Sequence, residues 1–310
     1  MEMSLLITEQ ILKMFLMIAV GVILIRTKMV EKEAGTYLSK IALNVVLPCV
    51  IINAFQIKYS EDIKNGLVLA FVLAVICNLL LIILPHILKK WLKFSAIEQA
   101  SLSYPNSGEI LIPLVVSVLS KEMQIYCCAF LIVQIFFLFT HGDLLISGQS
   151  KLRFKTILSN KNVIAIVIAL IIFIFKIPIP GVVSGVLDSF SGTLAPMCML
   201  AIGISIGNCN IKEIFSNKRI YLICLLRLIA LPLFILLLIK ISGITNVMVN
   251  AKDIVLIVFM ATASSASATV ANMAYYYQKE EKMVSLINVM SVLLLAITLP
   301  LMVMLYQIII

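Results

Sequence analysis

Charged side chains are scarce in this 310-residue chain, where Asp, Glu, Lys and Arg make up 13% of the residues. Soluble domains average roughly 25%. Hydrophobic residues account for 62% of the chain, which is more than a water-soluble core of this size can bury. The composition therefore excludes a soluble globular protein and indicates an integral membrane protein.

Metal-binding and catalytic patterns are also missing. The seven cysteines contain no Cys-x-x-Cys pair and lie almost entirely in apolar segments, and there are only two histidines. A disulfide framework or a zinc site is therefore not expected. An intramembrane enzyme would need paired acids, a Ser/His pair or metal ligands at membrane depth, and none is found. We expect no enzyme activity, no metal and no cofactor beyond a coupling proton or sodium ion.

Long apolar segments fill the rest of the chain. A bilayer core about 30 Å thick needs roughly 20 apolar residues per helix. Ten segments fit that length approximately: residues 9–26, 36–55, 65–88, 97–119, 124–147, 162–177, 184–208, 219–240, 253–276 and 283–308. Because the segments are too long for barrel strands and lack period-2 alternation, the sequence predicts an all-α bundle with ten transmembrane helices.

Basic residues mark one side of this bundle. The net charge is +9, and 16 of the 24 Lys and Arg residues lie in or beside one alternate set of connectors, against 6 for the other set. By the positive-inside rule the basic side is cytoplasmic. We therefore expect a multi-pass protein of the plasma membrane with both termini outside, whose positive charge is a topology signal and not a nucleic-acid interface.

The two halves of the chain share a pattern at an interval of five segments. Pro48 lies in the middle of the second segment and Pro196 in the middle of the seventh, and the fourth and ninth segments both have polar centres. Since five is odd, the second half must cross the membrane in the opposite direction. The sequence predicts an inverted repeat typical of secondary transporters, with halves at residues 1–147 and 162–310 and a cytoplasmic connector at 148–161.

The fourth segment contains a strong helix-breaking signal. Pro105 removes a backbone donor, Gly108 tolerates non-helical backbone, and Asn106 and Ser107 compete for freed backbone groups. Pro113 follows one turn later. We expect a helix break near mid-membrane, where unwound backbone is tolerated only beside protein or a watery cavity. A simple proline kink is the alternative.

The ninth segment has a comparable polar centre. Its small polar residues include Ser264, Ser265, Ser267, Thr269 and Asn272. These residues either form a helix-packing face or face the break in the fourth segment. If the two breaks cross, the N-terminal ends of the half-helices offer N–H groups and positive dipole ends to an anion such as a carboxylate. We therefore expect substrate binding by this cluster together with Asn106, Ser107 and Gly108.

Two charged residues lie inside apolar segments. Glu109 is at the centre of the fourth segment, where a charge is costly and therefore suggests a function. It is expected to carry a coupling proton or bind a cation, or else it faces a hydrated vestibule. Arg227 lies about 12 Å from the cytoplasmic end of the eighth segment. It either extends to that surface or balances the charge of a bound anion.

Several of these segments resemble the auxin efflux carrier family, in particular its bacterial members. The residues that carry the resemblance are Leu47-Pro48-Cys49, Asn106-Ser107-Gly108 with Pro113, Ala195-Pro196 with Gly203, Ala274 with Tyr277, and Thr298-Leu299-Pro300. The resemblance implies a 5+5 inverted fold with crossed, broken fourth and ninth helices, shared more distantly with bile-acid sodium symporters.

The resemblance also implies roles for individual residues. Asn106 corresponds to the polar residue of the crossover, and Pro48 and Pro196 correspond to scaffold-helix prolines. The chain departs from the family at Ser265, where proline is common, and at Glu109, where the family is usually apolar or has glycine. These departures bear on the substrate and the coupling ion.

The functional prediction is a secondary active transporter, an efflux permease, that moves a small organic anion by alternating access with proton coupling. Its expected partners are the anion, the lipid bilayer and a second copy of the chain in a homodimer. The alternatives are a sodium-coupled organic anion symporter and a membrane receptor that keeps the carrier fold without transport.

Overall fold

The computed structural model describes residues 2–149 and 157–310, which form helices without a named β-strand. The helices are α1 (Glu2–Arg26), α2 (Ala34–Ala54), α3 (Glu61–Leu92), α4 (Ala96–Ser103), α5 (Ser107–Val118), α6 (Lys121–Ser147), α7 (Lys161–Ile174), α8 (Gly181–Asn208), α9 (Ile211–Ser216), α10 (Lys218–Ser242), α11 (Ala251–Thr262), α12 (Ala268–Tyr276) and α13 (Glu281–Ile309).

Seven of these helices are long and apolar enough to cross a membrane: α1, α2, α3, α6, α8, α10 and α13. The fourth and ninth predicted segments are each divided into two short helices, and the sixth is the 14-residue helix α7. The described chain is therefore an all-helical membrane protein with seven continuous candidate spans. Of the predicted connector 148–161, residues 150–156 lie outside the described residues.

Prolines affect these helices in different ways. Pro48, Pro113 and Pro232 each stand two residues after a π-helical turn. Proline has no N–H to donate to the carbonyl four residues earlier, and that carbonyl lies within the wider turn. Pro196 instead lies inside α8, which continues to Asn208. A proline in the middle of a span therefore does not by itself end the helix in this protein.

Helices α1 and α8 approach each other through glycines. A Cβ atom added to Gly203 of α8 would lie 2.8 Å from the Cα of Gly21 and still closer to the carbonyl of Ile18, both in α1. Only hydrogen at these positions permits this backbone approach. Helix α8 also packs against α2, whereas α3 packs against α6 and α11.

Candidate functional site

The fourth segment is interrupted between α4 and α5. Helix α4 ends at Ser103, and Tyr104 is extended, with φ −111° and ψ 112°. Helix α5 begins at Ser107 with a π-helical turn that ends at Leu111. Because Pro105 has no N–H group, the carbonyl of Ser101 could not have received its usual helical hydrogen bond. The interruption lies where the polar residues of the fourth segment cluster.

The ninth segment is interrupted between α11 and α12, and the two interruptions pair with each other. The N–H of Asn106 donates to the carbonyl of Ser265 at 2.8 Å, and the N–H of Ser267 donates to the carbonyl of Tyr104 at 3.0 Å. Pro105 and Ala266 stand opposite each other in this antiparallel bridge. We call residues 104–106 together with 263–267 the crossover. Each strand of the crossover satisfies backbone groups of the other.

A side chain from α6 supports the fourth-segment half of the crossover. The buried Gln134 donates through Nε2 to the carbonyl of Pro105 and accepts through Oε1 from the hydroxyl of Ser107. Sequence reasoning missed Gln134. The available signal was an amide side chain in the middle of an apolar helix, which needs a partner at membrane depth.

Two side chains of α13 support the other half. The hydroxyl of Ser291 accepts from the N–H of Ala266 at 3.1 Å, and Nδ2 of Asn288 donates to the carbonyl of Ala266 at 2.9 Å. Sequence reasoning missed these residues as well. Polar groups from the next helix along the chain therefore hold each half of the crossover.

Three of the predicted residues hold the crossover backbone. Oδ1 of Asn106 accepts from the N–H of Glu109 at 3.2 Å and caps the start of α5. The hydroxyl of Ser267 accepts from the N–H of Thr269 at 3.2 Å and caps α12. The hydroxyl of Ser264 donates to the carbonyl of Asn106 at 3.1 Å. Their part in substrate binding stays a prediction.

Glu109 is buried beside the crossover. Its carboxyl group accepts hydrogen bonds from the hydroxyl of Ser39 in α2 and from Nδ2 of Asn106, the latter at 3.4 Å. None of the ion pairs among the described residues includes Glu109. Within the described residues, the hydrogen-bond partners of this carboxyl group are therefore neutral. The sequence had not predicted Ser39 as a residue of this site.

Two cavities flank the crossover. Cavity A has a volume of about 340 Å³, and its polar lining includes Lys32, Ser39, Glu109, Ser205, Asn208, Asn272, Ser285 and Asn288. Cavity B has a volume of about 200 Å³, and its polar lining includes Asn44, Asn106, Ser107, Glu109, Gln134, Asn160, Asn162, Ser267, Thr269 and Asn272, together with the backbone of Gly108. Glu109 and Asn272 line both cavities.

The remaining predicted residues lie elsewhere. Ser264 and Ser265 are buried within the crossover and line neither cavity A nor cavity B. Arg227 is completely buried in α10, so it does not extend to the protein surface, and it lines neither cavity.

Comparison with known proteins gives two matches to one family model, described as a membrane transport protein, over residues 6–156 and 151–303. Together the matches cover nearly the whole chain. The chain belongs to this auxin efflux carrier family of membrane transport proteins. The family consists of membrane transporters and not of enzymes. No curated protein matches the chain.

Cavities A and B of this family member both lie toward the same set of connectors. Lys32 and Asn208 at cavity A, and Asn160 at cavity B, all lie in or beside connectors of the basic set. A polar network joins three helices toward the opposite side. There, Asp188 of α8 accepts from Nδ2 of Asn53 in α2 at 2.8 Å and from Nζ of Lys121 in α6 at 3.3 Å.

Proposed function

We propose that this chain is a secondary active transporter that exports a small organic anion by alternating access. In this proposal the ten predicted spans form a 5+5 inverted repeat, with α4 and α5 as the broken fourth span and α11 and α12 as the broken ninth. The basic side is the cytoplasmic side of the plasma membrane, and both termini are outside. Membership of a transporter family and a match in each half of the chain support this assignment.

One observation carries the proposal. Two polar cavities reach a pair of interrupted helices from one side, while the Asn53–Asp188–Lys121 network joins α2, α6 and α8 toward the other side. This is the arrangement expected for one end state of an alternating-access transporter. The site is then open toward the cytoplasm and closed toward the outside.

The lining of cavity B favours an anionic substrate. Ser107 and Gly108 begin α5, and Ser267 and Thr269 flank the start of α12. Both helices therefore present their N-terminal ends, which carry partial positive charge, to the same cavity. The amide groups of Asn106 and Asn272 add hydrogen-bond donors. A carboxylate can be bound there without a lysine or arginine in the lining.

Glu109 links this site to a coupling proton. An ionised Glu109 would repel an anion in either cavity, because the carboxyl group lines both. A proton on Glu109 removes this repulsion and leaves Ser39 and Asn106 as its hydrogen-bonding neighbours. We therefore propose that the anion moves when Glu109 is protonated and that the proton crosses in the same cycle.

Flux measurements in proteoliposomes test the proposal. Wild-type protein should transport at least one member of a panel of mono- and dicarboxylates and should respond to an imposed pH gradient. Asn106→Ala should reduce the flux, and Glu109→Gln should abolish the response to the pH gradient, without lowering the yield of folded protein.

Asn78→Ala is the matched control, because buried Asn78 donates to the carbonyl of Ala74 within its own helix and lines neither cavity. Normal coupled transport by both site variants would contradict the proposal. A ligand-dependent rise in melting temperature without counterflow would instead identify a receptor.

A further inference from the structure

Arg227 is the largest of the completely buried side chains in the described part of the protein. Its Nη1 donates to the carbonyl of Leu102 at 3.2 Å, whereas Nε and Nη2 have no hydrogen-bond partner. No carboxylate of the described residues forms an ion pair with it. A buried, unpaired cation is costly, so its position calls for a physical explanation.

The contact with Leu102 results from the break in the fourth segment. In a continuous helix the carbonyl of Leu102 would accept from the N–H of Asn106, four residues later. Here the N–H of Asn106 donates to Ser265 across the crossover. The carbonyl of Leu102 is thereby released, and the guanidinium group of Arg227 takes the place of the missing donor.

The guanidinium group of Arg227 also lies where the electrostatic potential of α4 favours a cation. Helix α4 ends at Ser103, and the unsatisfied carbonyl groups at a helix C-terminus carry about half a negative charge. In transporters with discontinuous helices, such C-terminal ends and unwound carbonyl groups bind the coupling cation. At the C-terminal end of α4 in this protein, the cation is instead a side chain, the guanidinium group of Arg227.

The C-terminal end of α11 differs. The carbonyl of Phe259 accepts from the N–H of Ala263 at 3.0 Å and from the hydroxyl of Thr262 at 2.7 Å, and the carbonyl of Ala261 accepts from the N–H of Ser264 at 3.3 Å. Neutral groups of the same chain segment thus satisfy these carbonyls.

We propose that Arg227 is a built-in substitute for a coupling sodium ion at the end of α4, so that the transport cycle does not require sodium. This inference rests on the proposed transport function. It assigns Arg227 a positioning role, because the side chain stabilises the crossover from outside the two cavities and does not contact the substrate.

Wild type, Arg227→Lys and Arg227→Gln should be compared in sodium, potassium and choline salts. Two readouts are needed, carboxylate counterflow in proteoliposomes and melting temperature in detergent. The matched control is Arg26→Gln, because exposed Arg26 also donates to a backbone carbonyl, that of Cys209 at 3.4 Å.

For wild type, and likewise for Arg227→Lys, we expect neither the flux nor the melting temperature to differ between the three salts. Arg227→Gln should lose flux about tenfold or more in choline, the factor that corresponds to one lost charge-assisted hydrogen bond. Its melting temperature should rise when sodium replaces choline, because a free cation can then occupy the vacated position. Arg26→Gln should behave as wild type.

A sodium requirement for wild-type flux would overturn the inference, as would unchanged flux of Arg227→Gln in choline or a wild-type melting temperature that rises with sodium. If Arg227→Gln does not fold, the wild-type protein still tests the inference, because its flux and its melting temperature should be the same in all three salts. Absence of counterflow by wild type in every salt would instead contradict the proposed transport function, while the melting temperatures would still test the role of Arg227.

Discussion

Replacing Gln134 with leucine tests whether the break in the fourth segment depends on a side chain from the next helix. Leucine is close to glutamine in size and is well accepted in an apolar helix, so the substitution removes two hydrogen bonds while largely preserving packing. It leaves the carbonyl of Pro105 and the hydroxyl of Ser107 without their partner. Both groups belong to buried residues.

The expected cost follows from these two groups. A buried polar group left without a partner costs about 1–3 kcal/mol, whereas hydrogen bonds measured within membranes average only about 0.6 kcal/mol. Using about 1 kcal/mol for each group gives about 2 kcal/mol for Gln134→Leu. At 1.4 kcal/mol per factor of ten, this corresponds to a shift of roughly thirtyfold away from the intact crossover.

Thermal unfolding in detergent and flux in proteoliposomes measure the effect. Gln134→Leu should lower both the melting temperature and the flux. Gln124→Leu should change neither much, because Gln124 in the same helix makes one long contact of 3.4 Å, to the carbonyl of Leu119, and is only partly buried. Equal melting temperatures and fluxes for the two variants would refute the assigned role of Gln134.

Two further predictions concern helix packing and closure. Gly203→Ala should lower the melting temperature, because the added methyl group introduces overpacking worth about 1–3 kcal/mol. Gly192→Ala in the same helix should not, because its Cβ would meet no atom within 4 Å. Equal melting temperatures for the two variants would contradict the close approach of α1 and α8. Asp188→Asn should raise the rate of amide hydrogen exchange at the start of α6 by no more than about fivefold. The Lys121–Asp188 pair is about half exposed, and such pairs contribute about 0.2–1 kcal/mol. An unchanged exchange rate would argue against a role for this pair in closing that side of the protein.

Local composition was enough to predict a helical membrane protein and the neighbourhood of its polar centres. The scarcity of charge and the length of the apolar segments determine the class. Pro105, Asn106 and Gly108 disfavour a continuous helix through their own backbone chemistry. The sequence could not show that the crossover strands pair directly, because that contact joins residues about 160 positions apart.

The effect of each proline and the partner of each amide side chain could not be predicted from the local sequence. Pro48 and Pro196 give the same signal in the sequence, yet a π-helical turn precedes only Pro48, and α8 runs past Pro196. Gln134 and Asn288 each lie in a mainly apolar helix, and only the tertiary fold shows which backbone group they bind.

The side chains that bind the two halves of the crossover differ because the backbone groups of Pro105 and Ala266 differ. Pro105 has no N–H, so its backbone needs only a donor, and Gln134 supplies one. The opposing residue, Ala266, retains its N–H, and α13 accordingly supplies both the acceptor Ser291 and the donor Asn288. Helix α6 follows the fourth segment and α13 follows the ninth, so the helix after each interrupted segment supports its half of the crossover with different side chains. The proposed inverted repeat predicts such a correspondence between the two halves.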